Sequence, residues 1–240
     1  MKVVFAYKWA RNAATAMVLA DGSVDWRGAK MTPGEDDPAA LATAKTIAQG
    51  SDGSVVGLTL GNGDASWALA RGVGSTYSVE GVEHLIDNAA TGEVLAAAVR
   101  EIGDVDVVVI GDSKQEAAVA PAIAAELGWP CLLGLVSASV VDGTIHAVRN
   151  VGSEAVTTAV PLPAVLGVQA EADVDKAPGM KDVLAARKRP VTKLAHQGDI
   201  KDVESQGSRR PEATAGRVFD GDPADSTARL VTALRDEGVL

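Results

Sequence analysis

Short runs of aliphatic and β-branched residues alternate with alanine-rich stretches of helical pattern through the first half of the chain. That alternation limits the fold more than any other feature. Val3 to Ala6, Val55 to Leu60 and Val105 to Ile110 are largely unbroken by polar residues, the pattern of strands buried on both faces. Between them, Asp37 to Gln49 starts acidic, carries Pro38 in its first turn and is followed by Gly50, so it reads as a helix with both ends marked. Ala65 to Arg71 reads as a short helix. Thr91 to Ile102 and Gln115 to Leu127 read as longer ones, the last containing Pro121. Strand and helix at this spacing predict an α/β fold: a doubly wound, mainly parallel sheet with both faces covered.

The texture changes after Cys131. Leu132 to Val141, then Asp142-Gly143, then Thr144 to Val151 predicts a hairpin, as does Asp21-Gly22 between Ala16–Leu19 and Val24–Trp26. Ala155 to Val160 and Ala164 to Ala170 add strands, so the sheet gains antiparallel members. Met180 to Arg189 predicts a helix ending in the basic Arg187-Lys188-Arg189. Ala195 to Thr214 has little apolar periodicity and reads as an extended arm, before a helix from Ala224 to Glu237 capped by Gly221-Asp222-Pro223. The expected division is therefore 1–194 as an α/β nucleotide-binding domain and 195–240 as arm plus helix. The arm either holds a partner subunit or returns the helix to its own domain.

Composition removes several function classes. A net charge of −10 opposes binding to phosphate backbones, so no nucleic-acid partner is expected. The single cysteine, Cys131, excludes an internal disulfide and a multi-cysteine metal site, and it fits a reducing compartment. Met1 to Lys8 lacks a signal-peptide core, and no apolar run approaches the ~20 residues of a membrane span, so a cytoplasmic protein outside the membrane is expected. Aromatics are only 3%, which predicts a core of small aliphatic groups.

No catalytic constellation stands out. His84, His146 and His196 lack metal-ligand spacing, and neither a Gly-x-Ser-x-Gly elbow nor a Walker loop is present. Three strand ends carry the candidate chemistry instead: Ala6-Tyr7-Lys8, Gly61-Asn62-Gly63-Asp64, and Gly111-Asp112-Ser113-Lys114-Gln115. In an open parallel sheet, ligands bind beyond the carboxyl ends of the strands. Backbone N–H groups there, and a helix N-terminus after the last of them, suit an adenine nucleotide. Glycine after a strand equally serves any tight turn.

Against that background the chain resembles the electron-transfer flavoprotein beta-subunit family, of the Fix or carnitine-pathway type. The resemblance rests on Met1-Lys2-Val3-Val4-Phe5-Ala6-Tyr7-Lys8, Asp37-Pro38-Ala39-Ala40-Leu41-Ala42, Pro161-Leu162-Pro163-Ala164-Val165, and Pro178-Gly179-Met180-Lys181 with Ala185-Ala186-Arg187-Lys188-Arg189-Pro190-Val191. It implies an adenine nucleotide alpha hydrolase-like fold and a C-terminal arm wrapping an alpha subunit. It also implies FAD held mainly by that partner, and AMP or a second FAD in the beta subunit. Electrons would arrive from flavin dehydrogenases docking on loop 169–177, or from NADH in a bifurcating complex, and leave to a quinone reductase or low-potential carrier. The chain itself would be a carrier subunit, not an enzyme. Carried over by position, the nucleotide contacts are Ala6, Tyr7, Lys8, Asp37, Gly61, Asn62, Gly111, Asp112, Ser113, Lys114, Gln115 and Val119.

Two departures from that pattern are visible. The family's phosphate loop is longer and ends Gln-(Thr/Val)-Gly, whereas here Ala118 and Ala120 flank Val119 and the acidic Glu116 stands close by. Alanine removes the room a backbone needs to approach a phosphate. Loop 169–177 carries Glu171, Asp173 and Asp175 with only Ala172 and Val174 as apolar anchors, so docking there would depend more on charge. The rival reading is a nucleotide-binding homologue with a structural or regulatory role and no electron carriage.

Overall fold

The computed structural model describes residues 1–61, 63–82, 85–112, 114, 116–170, 174–212 and 216–240. In chain order, strand β1 (Lys2–Ala6) leads into the short strands β2 (Trp9–Arg11), β3 (Met17–Val18), β4 (Val24–Asp25) and β5 (Met31–Pro33). Then come α1 (Asp37–Gly50), β6 (Ser54–Leu60), α2 (Ala65–Leu69), β7 (Ser75–Glu80), α3 (Asn88–Ile102), β8 (Val107–Gly111) and α4 (Val119–Leu127). The second half adds β9 (Cys131–Val141), β10 (Thr144–Val151), β11 (Glu154–Val160), β12 (Ala164–Val168), α5 (Met180–Ala186), β13 (Thr192–Ala195) and α6 (Pro223–Asp236).

Nine strands form one sheet in the order β11-β10-β9-β12-β8-β1-β6-β7-β13. From β9 to β13 along that order every pairing is parallel, and the antiparallel members are the β9–β10–β11 meander at one end. β1 lies between β6 and β8, with Phe5 level with Gly57 on one side and Val109 on the other. Side chains alternate across a strand. Val3, Phe5 and Tyr7 therefore enter the core under α1, while Val4 and Ala6 enter the core under α3 and α4. Both faces are filled, which is why these strands read as continuous apolar runs.

Small residues let the layers close. A Cβ on Gly92 would lie 2.3 Å from the Ala122 Cβ and 3.0 Å from the Ile123 nitrogen, so α3 and α4 approach backbone to backbone at this point. Lys2 stitches the sheet to the end of α3, its Nζ donating to the carbonyls of Ile102 (2.9 Å) and Gly103 (2.7 Å).

Several elements differ from the sequence expectation. α3 starts at Asn88, not Thr91, because the Asp87 carboxylate accepts the Ala89 N–H and supplies the cap. α4 starts at Val119, four residues later than expected. β7 and β13 were not expected at all. β13 is a four-residue edge strand, and β7 buries the hydroxyl residues Thr76 and Ser78 in place of aliphatic ones.

The chain divides into two compact units, one of residues 1–17 and 24–206, the other of residues 18–23 and 207–240. The first contains the whole nine-stranded sheet. Its last stretch has no helix or strand after Ala195, yet it is anchored: the Asp202 carboxylate accepts the N–H groups of Ile86 and Asp87 at 2.7 to 3.1 Å, and Ile200 packs against the core under α3. In the second unit the turn at Asp21-Gly22, flanked by β3 and β4 as expected, meets the arm. A Cβ on Gly22 would lie 2.3 Å from the Arg210 nitrogen, and the Ser208 hydroxyl donates to the Gly22 carbonyl. α6 begins at Pro223, capped by Asp222, and of its residues only Ala233 is buried.

Candidate functional site

Strand order reverses between β1 and β8. The chain leaves β1 towards β6 and β7, then crosses back to β8 on the far side of β1. The crevice beyond the carboxyl ends of β1 and β8 is thus the switch point, where open α/β sheets bind ligands. Of the candidate residues, the structure brings Ala6, Tyr7, Lys8, Asp37, Gly111 and Asp112 to this edge.

Asp37, the first residue of α1, organises the crevice. It is 4% exposed, and its Oδ2 accepts the N–H of Lys8 at 3.0 Å and of Gly34 at 2.7 Å. One carboxylate therefore clamps the end of β1 to the turn before α1. Gly111 ends β8 against the same place: a Cβ on it would lie 2.9 Å from the Asp36 Cβ and 3.2 Å from Asp37 Oδ1. Asp112 is directed towards β9 and β12, its N–H bonded to the Val168 carbonyl at 2.8 Å and its Oδ2 to the Gly134 N–H at 2.7 Å.

Burial raises the Asp37 carboxyl from 3.8 to about 7, outweighing its two N–H bonds, and the nearby Asp36 and Glu116 add to the rise. The native state therefore binds more protons than the unfolded chain between these values. The stabilisation is full below about 3.8 and is lost as pH rises through about 7. It amounts to about 4 kcal/mol at 1.36 kcal/mol per pKa unit. Asp37→Asn is expected to flatten the fall in urea midpoint between pH 4 and 8. Parallel wild-type and variant profiles would show that Asp37 does not titrate there.

Tyr7 presents only its backbone to the crevice. Its ring is 5% exposed, stacked on Phe5 at 5.4 Å and tilted against Trp67 at 5.6 Å, and its hydroxyl is buried without a partner. Burial, with Asp64 and Asp37 nearby, pushes the phenol well above its usual range. Val119 is likewise buried, in the core under α3 and α4, and its N–H is bonded to the Glu116 carbonyl at 3.0 Å. Gly61 ends β6 at φ 60°, accepts the Ser78 hydroxyl and gives its N–H to the Val79 carbonyl, so it joins β6 to β7. Lys114 is exposed. Asn62, Ser113 and Gln115 lie outside the described residues, as do His84 and residues 171–173 of loop 169–177. The same loop is tied at Asp175 to Lys45 of α1 (2.6 Å).

Sequence reasoning did not foresee that Lys8 Nζ, a cation at the crevice edge expected to meet a ligand, forms an ion pair with Glu116. The two are 108 residues apart, and no local spacing signals the contact. The half-buried Cys131 thiol is raised to about 11 by burial, with Asp112 adding to the rise, which disfavours the thiolate. Among the described residues no group of three or more His, Cys, Asp or Glu could hold a metal ion. No helix among them is long and apolar enough to cross a membrane. A cavity of about 400 Å³ opens elsewhere, between α2 and the end of α5, beside Asp64, Ser66, Arg187 and Arg189. Arg189 is already engaged there by the carbonyls of Val73 and Gly74. The switch-point crevice is the better candidate, because it gathers the strand ends.

The electron transfer flavoprotein domain family matches residues 25–198. A protein named electron transfer flavoprotein subunit beta from Mycobacterium leprae (strain TN) is 32% identical over 214 residues, 80% of each chain. Proteins of the same name from Mycobacterium bovis and Mycobacterium tuberculosis (strain H37Rv) are 31% identical over 160 residues, 62% of this chain and 59% of theirs. The chain thus spans less than two thirds of the length of the latter two. With the matched segment running from β4 past β13, through every other strand of the large sheet save β1, this chain belongs to the electron transfer flavoprotein domain family.

Proposed function

We propose that the chain is the beta subunit of a heterodimeric electron transfer flavoprotein. It would pair with an alpha subunit that holds most of an FAD, and it would make and break no bonds itself. The flavin supplies the redox chemistry, and this chain supplies binding, orientation and electrostatics. The observation that carries the reading is the family match across the sheet, joined to a switch-point crevice built from residues the resemblance singles out. Residues 195–240 would contact the alpha subunit. Loop 169–177, held at Asp175 by Lys45, would receive a flavin dehydrogenase, and the electrons would pass on to a quinone reductase or low-potential carrier.

AMP or a second FAD in the crevice fits poorly with the residues there. Lys8 is paired to Glu116, and Asp36 stands beside the same strand ends. The same observation weighs against the second reading, a nucleotide-binding homologue with a structural or regulatory role and no electron carriage. Coexpression with an electron transfer flavoprotein alpha subunit tests the first reading. A 1:1 complex by mass supports it, and two separately eluting chains would contradict it.

A further inference from the structure

We propose that Glu116 sets the ligand class of the switch-point crevice: its carboxylate takes the place beside Lys8 that a ligand phosphate would take, and phosphate-bearing nucleotides are refused. The inference rests on the crevice being the family's nucleotide site.

Three observations converge on it. First, Lys8 Nζ and a Glu116 carboxylate oxygen form an ion pair at the mouth of the crevice, with side chains 44% and 29% exposed. A charge-assisted bond to an anion is the role a phosphate would fill at that lysine. Second, the pair sits at the start of α4. Ala118, the residue before the helix, has no polar side chain to cap it, while the Glu116 carbonyl accepts the Val119 N–H. Glu116 stands three residues ahead of Val119, close in sequence to the helix end that favours negative charge, so an anion is already supplied from within the chain. Third, the surroundings oppose a second anion. Asp36 and Glu116 both act on the buried Asp37, and Asp36 lies against Gly111 at the end of β8. A phosphate would have to displace Glu116 and then face its released charge. Ala120, 3% exposed and packed in the core, leaves no glycine there to admit a backbone approach.

The test is a titration of the purified heterodimer with AMP and with adenosine, together with a count of copurified nucleotide after denaturation. Wild type is expected to carry no AMP and to show no saturation up to about 1 mM, the range of weak binding. Glu116→Gln, which keeps the size and removes the charge, is expected to bind AMP about 100-fold more tightly, the scale of one hydrogen bond to a charged group. Adding Lys8→Met to that variant should abolish the gain. Adenosine, which has no phosphate, should change less than about threefold between wild type and Glu116→Gln.

One AMP per wild-type heterodimer would overturn the proposal whatever the variants do. So would equal AMP affinity in wild type and Glu116→Gln, or an equal gain for adenosine. If Glu116→Gln does not fold, the wild-type count and titration still decide. If no flavin-bearing heterodimer forms, the functional reading fails separately, and the titration on the chain alone still decides the role of Glu116.

Discussion

Phe5→Ala is expected to remove about 3–5 kcal/mol of stability, the range for truncating a buried aromatic. Against a typical total of about 5–15 kcal/mol that is a large fraction. Phe5 is fully buried on the central strand β1. It stacks on Tyr7 at 5.4 Å with planes 12° apart and lies 6.1 Å from Trp67. Its strand neighbour on β6 is Gly57, which has no side chain to move into the gap, and its neighbour on β8 is Val109. A core of alanine and valine has few long side chains able to close such a cavity, so the cost lies towards the upper end of the range. The other phenylalanine is a control. Phe219 is half-buried near Arg217, and its removal is expected to cost about 1 kcal/mol or less. Urea unfolding followed by circular dichroism checks both, and a loss under about 1 kcal/mol at Phe5 would refute the packing argument.

Ending the chain at Gln206 is expected to abolish the complex with the alpha subunit while leaving the α/β fold intact. The nine-stranded sheet and its two cores lie before that point, and Asp202 already anchors the last retained segment to the start of α3. The part removed holds α6, whose buried residues reduce to Ala233, and it exposes Val218, Leu230, Val239 and Leu240. Exposed apolar residues on and beside an amphipathic helix suit a partner surface better than solvent. Coexpression and size-exclusion chromatography check this. The truncated chain should elute alone with an unchanged circular dichroism spectrum. A retained complex would place the interface elsewhere.

The sheet was legible where the physics is local. β1, β6 and β8 are buried on both faces, so their sequences are largely apolar and announce themselves. α1 carries Pro38 at its start, and its bounds were read to within a residue. β7 was not legible, because Ser75-Thr76-Tyr77-Ser78 buries hydroxyls near the sheet edge, one of them bonded to the Gly61 carbonyl. The start of α3 was misplaced because Asp87, not a residue near Thr91, satisfies its first N–H groups. At the site, strand ends pointed to Lys8, Gly111 and Asp112, and the family resemblance added Asp37. Strand alternation alone puts Tyr7 on the same face as Val3 and Phe5, which is why its ring joins the core. The pairing of Lys8 with Glu116 depends on how β1 and the segment before α4 meet in space, and that is not written in any short window of sequence.

The most direct test of the central claim is the number of FAD molecules released per purified heterodimer, read by absorbance and chromatography after denaturation. One FAD per heterodimer, bound by neither chain alone, is the result expected of a beta subunit that helps hold its partner's flavin. A stable complex that carries no flavin would contradict the account.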